Sequence, residues 1–321
     1  MNQSSISVRV ARITQEAIDI QSFELVSVDG SALPGFSAGS HVDVQVPGGL
    51  TRQYSLCNDP QESHRYLIGV LKDPSSRGGS LSMHDRVREG DVLQISTPKN
   101  HFALAHGAAR SVLLAGGIGV TPILCMAERL SIAGADFEMH YCARERERMA
   151  FHDRFQASAF AARVHMHFDN GTAEQKFDIA TTLAQPVAGT HLYVCGPKGF
   201  MDAVLSTARG AGWPENQLHF EFFSAEPVKL DTDGEFQVKL ASSGKIVTIP
   251  KDVSITTALA DAGIDIPVSC EQGVCGTCLT RVLEGTPDHR DLFLLPDEQE
   301  KNDQFTPCCS RSKSPMLVLD L

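Results

Sequence analysis

Long apolar runs, an export signal and an excess of positive charge are all missing from this 321-residue chain. No stretch of eighteen apolar residues occurs, and Met1–Val8 contains no basic region followed by an apolar core, so neither membrane spanning nor export is expected. The net charge is −11, which argues against nucleic acid as a partner because binding phosphates requires a basic surface. We therefore expect a cytoplasmic protein with no nucleic-acid and no membrane partner.

Histidine-based metal motifs and a disulfide framework are missing as well. Twelve histidines occur, but neither H-E-x-x-H nor a 2-His-1-carboxylate pattern is evident, so oxygen activation is expected to occur on another protein. The nine cysteines are an odd number and fit a reducing compartment, in which those that bind no metal remain thiols.

Four cysteines near the C-terminus have the spacing of a plant-type [2Fe–2S] ligand set. Cys270, Cys275 and Cys278 read C-x4-C-x2-C, and Cys308 follows after 29 further residues. A loop with three thiolates in nine residues must wrap closely round a cluster, which small residues permit. A structural zinc knuckle is the alternative, but zinc ligands usually come as two close pairs. The spacing therefore predicts a protein that moves single electrons.

Three successive patterns of apolar and polar residues divide the chain into three segments. Up to about residue 103, short alternating runs separated by turn residues predict an antiparallel barrel or sandwich. Residues 104–226 alternate buried strands with amphipathic helices, which is typical of a parallel βαβ sheet. Residues 229–321 begin with a hairpin and a short helix capped by Ser254, and they contain the cysteine loop. This last segment has 9 Lys and Arg against 15 Asp and Glu, which suits docking on a basic patch or simply solubility.

Two glycine-rich segments are suited to phosphate groups. Ala115–Pro122 follows an apolar strand, and its glycines would let a pyrophosphate approach a helix N-terminus, although Pro122 stands where the ordinary Rossmann pattern has its third glycine. The strand ends Tyr141–Glu145 and Cys195–Pro197 would lie at the same sheet edge. Ser76–Ser80 supplies a second anion nest after the strand Arg52–Leu56, so a flavin or an ordinary barrel loop are both compatible with this segment.

Taken in order, R-x-Y-S, a G-G-S loop, G-G-I-G-x-T-P, C-G-P and C-x4-C-x2-C resemble the phthalate dioxygenase reductase family, the reductases of Rieske oxygenases. The resemblance covers essentially the full length. It implies a flavin-binding antiparallel β-barrel that holds FMN (1–103), a doubly wound parallel α/β domain that binds NADH (104–226) and a C-terminal β-grasp plant-type ferredoxin domain (229–321).

The resemblance also implies roles for individual residues. Those matching the FMN site are Arg52, Gln53, Tyr54, Ser55, Val70, Leu71, Lys72, Gly78, Gly79, Ser80 and Leu81. Those matching the NADH side are Thr121, Cys195 and Gly196, and the residue pattern itself adds Gly116, Gly117 and Gly119 of the glycine-rich turn and Arg144 and Glu145 at a strand end.

Four residues are expected at the reacting atoms: Ser55, Thr121, Cys195 and Phe223. Thr121 matches the flavin–nicotinamide junction, and Phe223 matches an aromatic that covers the flavin, although a core strand position is the alternative. Cys195 is not expected to be a nucleophile, because no histidine base can be paired with it. Glu145 beside Arg144 would repel a 2′-phosphate and accept a ribose hydroxyl, which favours NADH; a solvated helix start is the alternative.

The expected function is transfer of electrons from NADH through FMN and the [2Fe–2S] cluster to a Rieske oxygenase component. The aromatic substrate of that oxygenase stays open among vanillate, phthalate, and chlorinated or phenoxy benzoates. Two functions of other classes compete with this one. One is a redox-sensing iron–sulfur module on an interaction scaffold, and the other is a self-sufficient flavin oxidoreductase, which the absence of an obvious substrate-specific catalytic group disfavours.

Overall fold

The computed structural model of the chain describes residues 5–225 and 228–321. These residues form two compact units, Met1–Glu221 and Phe222–Leu321. The expected domain boundary at residue 226 lies outside the described residues. None of the helices in the described ranges is long and apolar enough to cross a membrane.

The first part of unit 1 is an antiparallel barrel with one helix. Its strands are β1 (Ser5–Ala17), β2 (Ile20–Ser27), β3 (Ser40–Val46), β4 (Leu50–Ser55), β5 (Tyr66–Leu71), β6 (Val92–Ser96) and β7 (Lys99–Asn100), and its helix is α1 (Gly79–Arg86). The strand order is β4-β3-β6-β1-β2-β5, with β7 on β3. A bridge between Leu56 and Ile68 joins the end of β4 to β5 and brings the sheet edges together. Alternate residues of β3, such as Val42 and Val44, fill the interior.

The second part of unit 1 is a parallel five-stranded sheet with crossover helices, as the βαβ rhythm predicts. Its elements are β8 (Arg110–Gly116), α2 (Val120–Ile132), β9 (Phe137–Ala143), α3 (His152–Ala157), β10 (Val164–Phe168), α4 (Ile179–Leu183), β11 (Thr190–Cys195), α5 (Lys198–Gly210) and β12 (Leu218–Glu221). The order is β10-β9-β8-β11-β12. All neighbouring strands are parallel, so their carboxyl ends share one edge.

One hydrophobic core joins the barrel to the parallel sheet. Ile20, Cys57 and Phe102 of the barrel are buried in the same cluster as the first two turns of α2 and the inner face of β9. Burial of this shared apolar surface makes residues 5–221 a single body. The barrel strands therefore have defined positions relative to the loops of the sheet.

Unit 2 is a β-grasp domain. Its elements are β13 (Phe236–Leu240), β14 (Ile246–Ile249), α6 (Ile255–Asp261), β15 (Thr280–Glu284), β16 (Pro287–Asp288), α7 (Pro296–Gln299), β17 (Gln304–Phe305), β18 (Arg311–Ser312) and β19 (Met316–Leu319). The main sheet has the order β14-β13-β19-β15-β17, with β13 and β19 parallel. The predicted hairpin and helix are confirmed, and the Ser254 hydroxyl accepts the Thr257 N–H at 3.1 Å as an N-cap.

Candidate cofactor sites

The loop before α1 combines a helix N-terminus with an arginine. Gly78 has a φ of 96°, and a Cβ at Gly79 would lie 2.6 Å from both Cγ and Nε of Arg52. The absence of a side chain at Gly79 therefore lets the guanidinium stem cross the start of the helix. Ser76 Oγ accepts the N–H groups of Gly78 and Ser80 at 3.2 and 3.3 Å and shapes the turn. A cation, a helix N-terminus and the positive end of the helix dipole fit a phosphate group.

Strand β4 presents its expected flavin residues on two faces. Val44 pairs with Arg52 and Val42 pairs with Tyr54 across β3 and β4, and both valines are buried in the barrel. Arg52 and Tyr54 therefore share the barrel side of the strand, and Ser55 faces the opposite way. Burial raises the pKa of Tyr54, so its phenol stays protonated at neutral pH.

Other expected flavin residues make contacts within the protein. Gln53 donates to Asp43 at 2.9 Å, and Lys72 pairs with Asp85 at 2.6 Å. Val70 is buried, and its carbonyl oxygen is 2.9 Å from Nε2 of His84. Leu71 and Leu81 are half-buried. Gln53 and Lys72 could thus contact a flavin only in addition to these partners.

Thr121 lies against the barrel strand that carries Val70. A Cβ at Gly69 would be 2.8 Å from Thr121 Cγ2, so only glycine allows this close approach of α2 to β5. Thr121 is buried, and its hydroxyl donates to the Ile118 carbonyl at 3.1 Å. The structure thus brings Thr121 beside the barrel strand, where the resemblance places the junction of the two cofactors.

The two loops expected on the NADH side touch through their backbones. A Cβ at Gly119 would lie 2.3 Å from the Cys195 carbonyl oxygen and 2.6 Å from the Gly196 nitrogen. A Cβ at Gly116 would lie 2.9 Å from the Phe200 ring. Gly117, between them, has a φ of 52°. These glycines are therefore needed for close packing at the carboxyl ends of β8 and β11, where open α/β sheets bind ligands.

Glu221 is a site residue that the sequence analysis missed. It ends β12 beside Cys195 of β11, and its Oε2 accepts the Ser55 hydroxyl at 3.5 Å. Burial raises the pKa of Glu221 to about 8, so the carboxyl is largely protonated at neutral pH. Burial and the neighbouring Glu221 also raise the pKa of Cys195, which keeps it a thiol rather than a nucleophilic thiolate. The signal in the sequence was an acidic residue at the end of an apolar strand.

The remaining expected residues occupy less enclosed positions. Phe223 belongs to unit 2 and is 39% exposed. Arg144 is exposed directly after β9, and the next residue, Glu145, is half-buried. Glu145 Oε1 accepts from Arg148 Nε at 3.1 Å, and Arg148 also pairs with Asp19. One carboxylate oxygen of Glu145, the expected acceptor of the ribose hydroxyl, is therefore already paired with Arg148.

In unit 2, the thiols of the cysteine loop converge on one another. The Cys270 thiol lies within hydrogen-bonding reach of Cys275 and Cys308, and Cys308 lies within the same reach of Cys278. The bonds from Cys275 and Cys308 hold the pKa of Cys270 well below its ordinary value. Cys275, Cys278 and Cys308 are buried, and Cys270 is half-buried. Four soft sulfur ligands that meet in this way match the donor set of an iron–sulfur cluster.

The loop backbone is bent to present N–H groups to sulfur. Glu271, Gly273 and Gly276 all have φ between 53° and 72°, in the left-handed region. This course directs the N–H groups of Gln272 and Val274 to Cys270 Sγ, each at 3.4 Å. Hydrogen bonds to ligand sulfur are one of the means by which proteins set cluster potentials.

The adjacent Cys309 is bonded differently from Cys308. Its hydrogen-bond partners are Cys308, Thr306 and Ser310, and its sulfur packs where a Cβ of Gly273 would be. Among the described residues, no three His, Cys, Asp or Glu side chains are spaced to hold a single metal ion. A binuclear cluster requires only two cysteines on each iron, so the four converging thiols fit it.

Comparisons with known proteins agree with both units. The family described as "2Fe-2S iron-sulfur cluster binding domain" matches residues 238–313. The family described as "Dimethylamine monooxygenase subunit DmmA-like, N-terminal domain" matches residues 96–218.

Similarity to individual proteins extends over the whole chain. Vanillate O-demethylase oxidoreductase of Pseudomonas putida is 60% identical over 307 residues, 95% of this chain and 96% of that protein. Phthalate dioxygenase reductase of Burkholderia cepacia is 41% identical over 98% of this chain and 97% of its own length. The solved structure entitled phthalate dioxygenase reductase, "a modular structure for electron transfer from pyridine nucleotides to [2Fe-2S]", has a TM-score of 0.76 at 40% identity, covering 99% of this chain and 98% of that one.

Glu221→Gln is expected to remove a pH-dependent loss of stability. The folded pKa is about 8 and an unfolded glutamate titrates near 4.3, so the wild-type protein loses stability as the pH rises through this interval. Each unit of pKa difference corresponds to roughly 1.4 kcal/mol. The urea midpoint of unit 1 can be followed by the fluorescence of Trp213 from pH 5 to 9. The midpoint of the variant should rise relative to that of the wild-type protein as the pH increases. Glu147→Gln, at an exposed position, is the control and should show no such trend. If the midpoints of Glu221→Gln and the wild-type protein changed with pH in parallel, the raised pKa of Glu221 would be contradicted.

Gly273→Ala is expected to impair cluster loading. A Cβ there would lie 2.3 Å from Cys309 Sγ and 2.9 Å from Asp291 Cβ, in a left-handed conformation. Gly263→Ala is the matched control, because Gly263 has a similar φ of 79° with open space around it. Iron and labile sulfide per chain should fall several-fold in the first variant only. Equal loading in both would show that backbone strain and the clash are unimportant.

Proposed function

Because the chain belongs to the phthalate dioxygenase reductase family of oxygenase reductases, we propose that it carries electrons from NADH through FMN and a [2Fe–2S] cluster to a Rieske oxygenase component. The proposal is supported by two groups of residues that the fold brings together. Unit 1 gathers Ser55, Thr121, Cys195 and Glu221 where the barrel meets the parallel sheet, and unit 2 gathers four thiols. We further propose a cytoplasmic location, which is supported by an odd number of cysteines, four of them proposed cluster ligands.

In this proposal, the FMN residues of the barrel bind and orient the flavin. The N-terminus of α1 and Arg52 would hold its phosphate, and Tyr54 would contact the ring system. A phosphate at this site suits FMN, because the FMN molecule ends in a phosphate group. When bound, the flavin would accept the two electrons of a hydride together and release them one at a time, because nicotinamide gives electrons in pairs and an iron–sulfur cluster takes them singly.

The residues of unit 1 that lie between the barrel and the parallel sheet would exclude water and place the nicotinamide. Thr121 and the Cys195–Gly196 peptide form a close-packed wall whose geometry depends on Gly69 and Gly119. Ser55 and the protonated Glu221 would supply hydrogen-bonding groups without adding negative charge beside an electron-rich cofactor. Phe223 as the aromatic cover is proposed from the family resemblance, and Glu145 as the selector of NADH is proposed from its charge.

Cys270, Cys275, Cys278 and Cys308 would be the cluster ligands. The cluster, when bound, accepts and passes one electron at a time. Three exposed residues border the loop: Glu271 and Leu279 directly follow ligand cysteines, and the Leu292 N–H donates to the Gly273 carbonyl at 3.0 Å. A mixed apolar and acidic border suits an oxygenase surface with apolar and basic groups near its own acceptor.

Cys275→Ser is expected to separate the two halves of the route. The variant should retain NADH-dependent reduction of a two-electron dye, because unit 1 is unchanged, and should lose cytochrome c reduction almost completely. Cys309→Ser is the matched control and should retain both activities and the [2Fe–2S] spectrum, because Cys309 is not among the proposed ligands. If Cys275→Ser kept both activities, the electrons would not pass through the cluster.

The oxygenase partner can be identified by reconstitution. We propose that the partner is a vanillate O-demethylase oxygenase, on the strength of 60% identity to the vanillate O-demethylase oxidoreductase. Product-coupled NADH oxidation should be at least tenfold faster with that oxygenase than with a phthalate dioxygenase oxygenase, and should fall with added salt if charge guides docking. A preference for the phthalate system would reverse the assignment, and product formation without any oxygenase would favour a self-sufficient enzyme.

A further inference from the structure

Arg290 of unit 2 uses every N–H of its guanidinium group. Nε donates to Asp288 Oδ2 at 2.8 Å, and Nη2 donates to the same oxygen at 2.6 Å and to Asp233 Oδ1 at 2.5 Å. Nη1 donates to Asp233 Oδ2 and to the Val228 carbonyl oxygen, both at 2.9 Å. The side chains of Arg290 and Asp233 are only 6% and 8% exposed. Five N–H donors therefore meet four acceptor atoms, with Asp288 Oδ2 accepting two of them, which only the planar fork of arginine can achieve.

The acceptors of Arg290 organise the chain that leads into unit 2. Asp233 Oδ2 also accepts the Leu230 N–H at 3.2 Å, and the Asp233 N–H donates to the Leu230 carbonyl at 3.0 Å. Hydrogen bonding to Arg290 lowers the pKa of Asp233 to about 2, so the carboxylate stays charged at physiological pH. Arg311 holds the next residue, because its Nη2 donates to the Gly234 carbonyl at 2.9 Å. Residues 228–234 are thus bound to the domain although they precede its first strand, β13.

Arg290 also belongs to the segment that supports the cysteine loop. Its own N–H donates to Ser310 Oγ at 3.2 Å, close in sequence to Cys308. The next residue, Asp291, is buried against Gly273, and the Leu292 N–H donates to the Gly273 carbonyl. Residues 290–292 therefore contact both residues 228–234 and the backbone of the cysteine loop.

We propose that Arg290 and Asp233 form a clamp that fixes residues 228–233 to unit 2 and so limits the length of unattached chain ahead of β13. The inference rests on the proposed function, in which unit 2 must receive electrons from unit 1. With the clamp closed, the chain is attached to unit 2 from Val228 onward. Release of residues 228–233 would add at most about 20 Å of unattached chain, since an extended residue spans 3.3–3.6 Å. Arg290 is in this sense a positioning residue for electron transfer within the chain.

Asp233→Asn is the decisive variant, because it weakens the hold on the entering chain and leaves the contact between Arg290 and Asp288 intact. Two matched controls are Asp288→Asn, which leaves the bonds from Arg290 to Asp233 and Val228, and Arg281→Met, which alters an exposed arginine on β15. The first readout needs no activity. Trypsin cleavage after the exposed Lys229, followed by mass spectrometry of the fragment that begins at Leu230, should be at least tenfold faster in Asp233→Asn than in either control.

The second readout is the single-turnover rate at which the cluster is reduced after mixing with NADH. It should fall at least threefold in Asp233→Asn, with the rate of flavin reduction and the paramagnetic resonance of the reduced cluster unchanged. Arg290→Lys should behave like Asp233→Asn, because an ammonium group keeps the charge but lacks the fork.

Cleavage after Lys229 at the control rate, or cluster reduction at the wild-type rate, would overturn the clamp. A changed resonance spectrum in Asp233→Asn would also overturn it, because the residue would then act on the cluster itself. If NADH failed to reduce the cluster in the wild-type protein, the proposed function would be wrong, and cleavage after Lys229 would still decide whether the clamp holds the chain.

Discussion

The contact between two backbone turns, Gly117–Gly119 and Cys195–Gly196, is the constraint on which the site in unit 1 depends. Any side chain at Gly119 would overlap the Cys195 peptide, so the ends of β8 and β11 can meet only with glycine there. The same principle applies where Gly69 admits Thr121 to the barrel. Both approaches are held by one hydrophobic core shared by barrel and sheet. The wall of the site therefore comes from packing of the backbone, and the side chains only line it.

Buried polarity in unit 1 is arranged so that little charge accumulates at this wall. The pKa of Glu221 is raised by burial, the Cys195 thiol is kept protonated, and Tyr54 remains a neutral phenol. An electron-rich cofactor beside such groups meets hydrogen-bonding partners rather than anions. In unit 2 the charged groups follow the opposite pattern, since Arg290 and Asp233 are nearly buried but fully paired. Charge is thus retained where it fixes the chain and removed where electrons are expected to pass.

Much of the architecture could be predicted from local patterns, because they depend on a few residues at a time. Alternation of apolar and polar residues indicated the barrel, βαβ spacing indicated the parallel sheet, and Ser254 indicated the start of α6. The cysteine spacing indicated four residues that the folded chain does bring together. Glu221 could not be found in this way, because its importance arises from contact with Ser55, 166 residues away.

By itself, the sequence determined the order of the three segments and the cluster chemistry, since periodicity and ligand spacing are properties of neighbouring residues. The tertiary structure alone decided which residues share an environment. It placed Glu221 beside Ser55 and Cys195, engaged Gln53, Lys72 and Glu145 with other side chains, and tied Asp233 to Arg290. Burial, pKa values and hydrogen-bond partners depend on contacts between residues far apart in the chain, which no local pattern records.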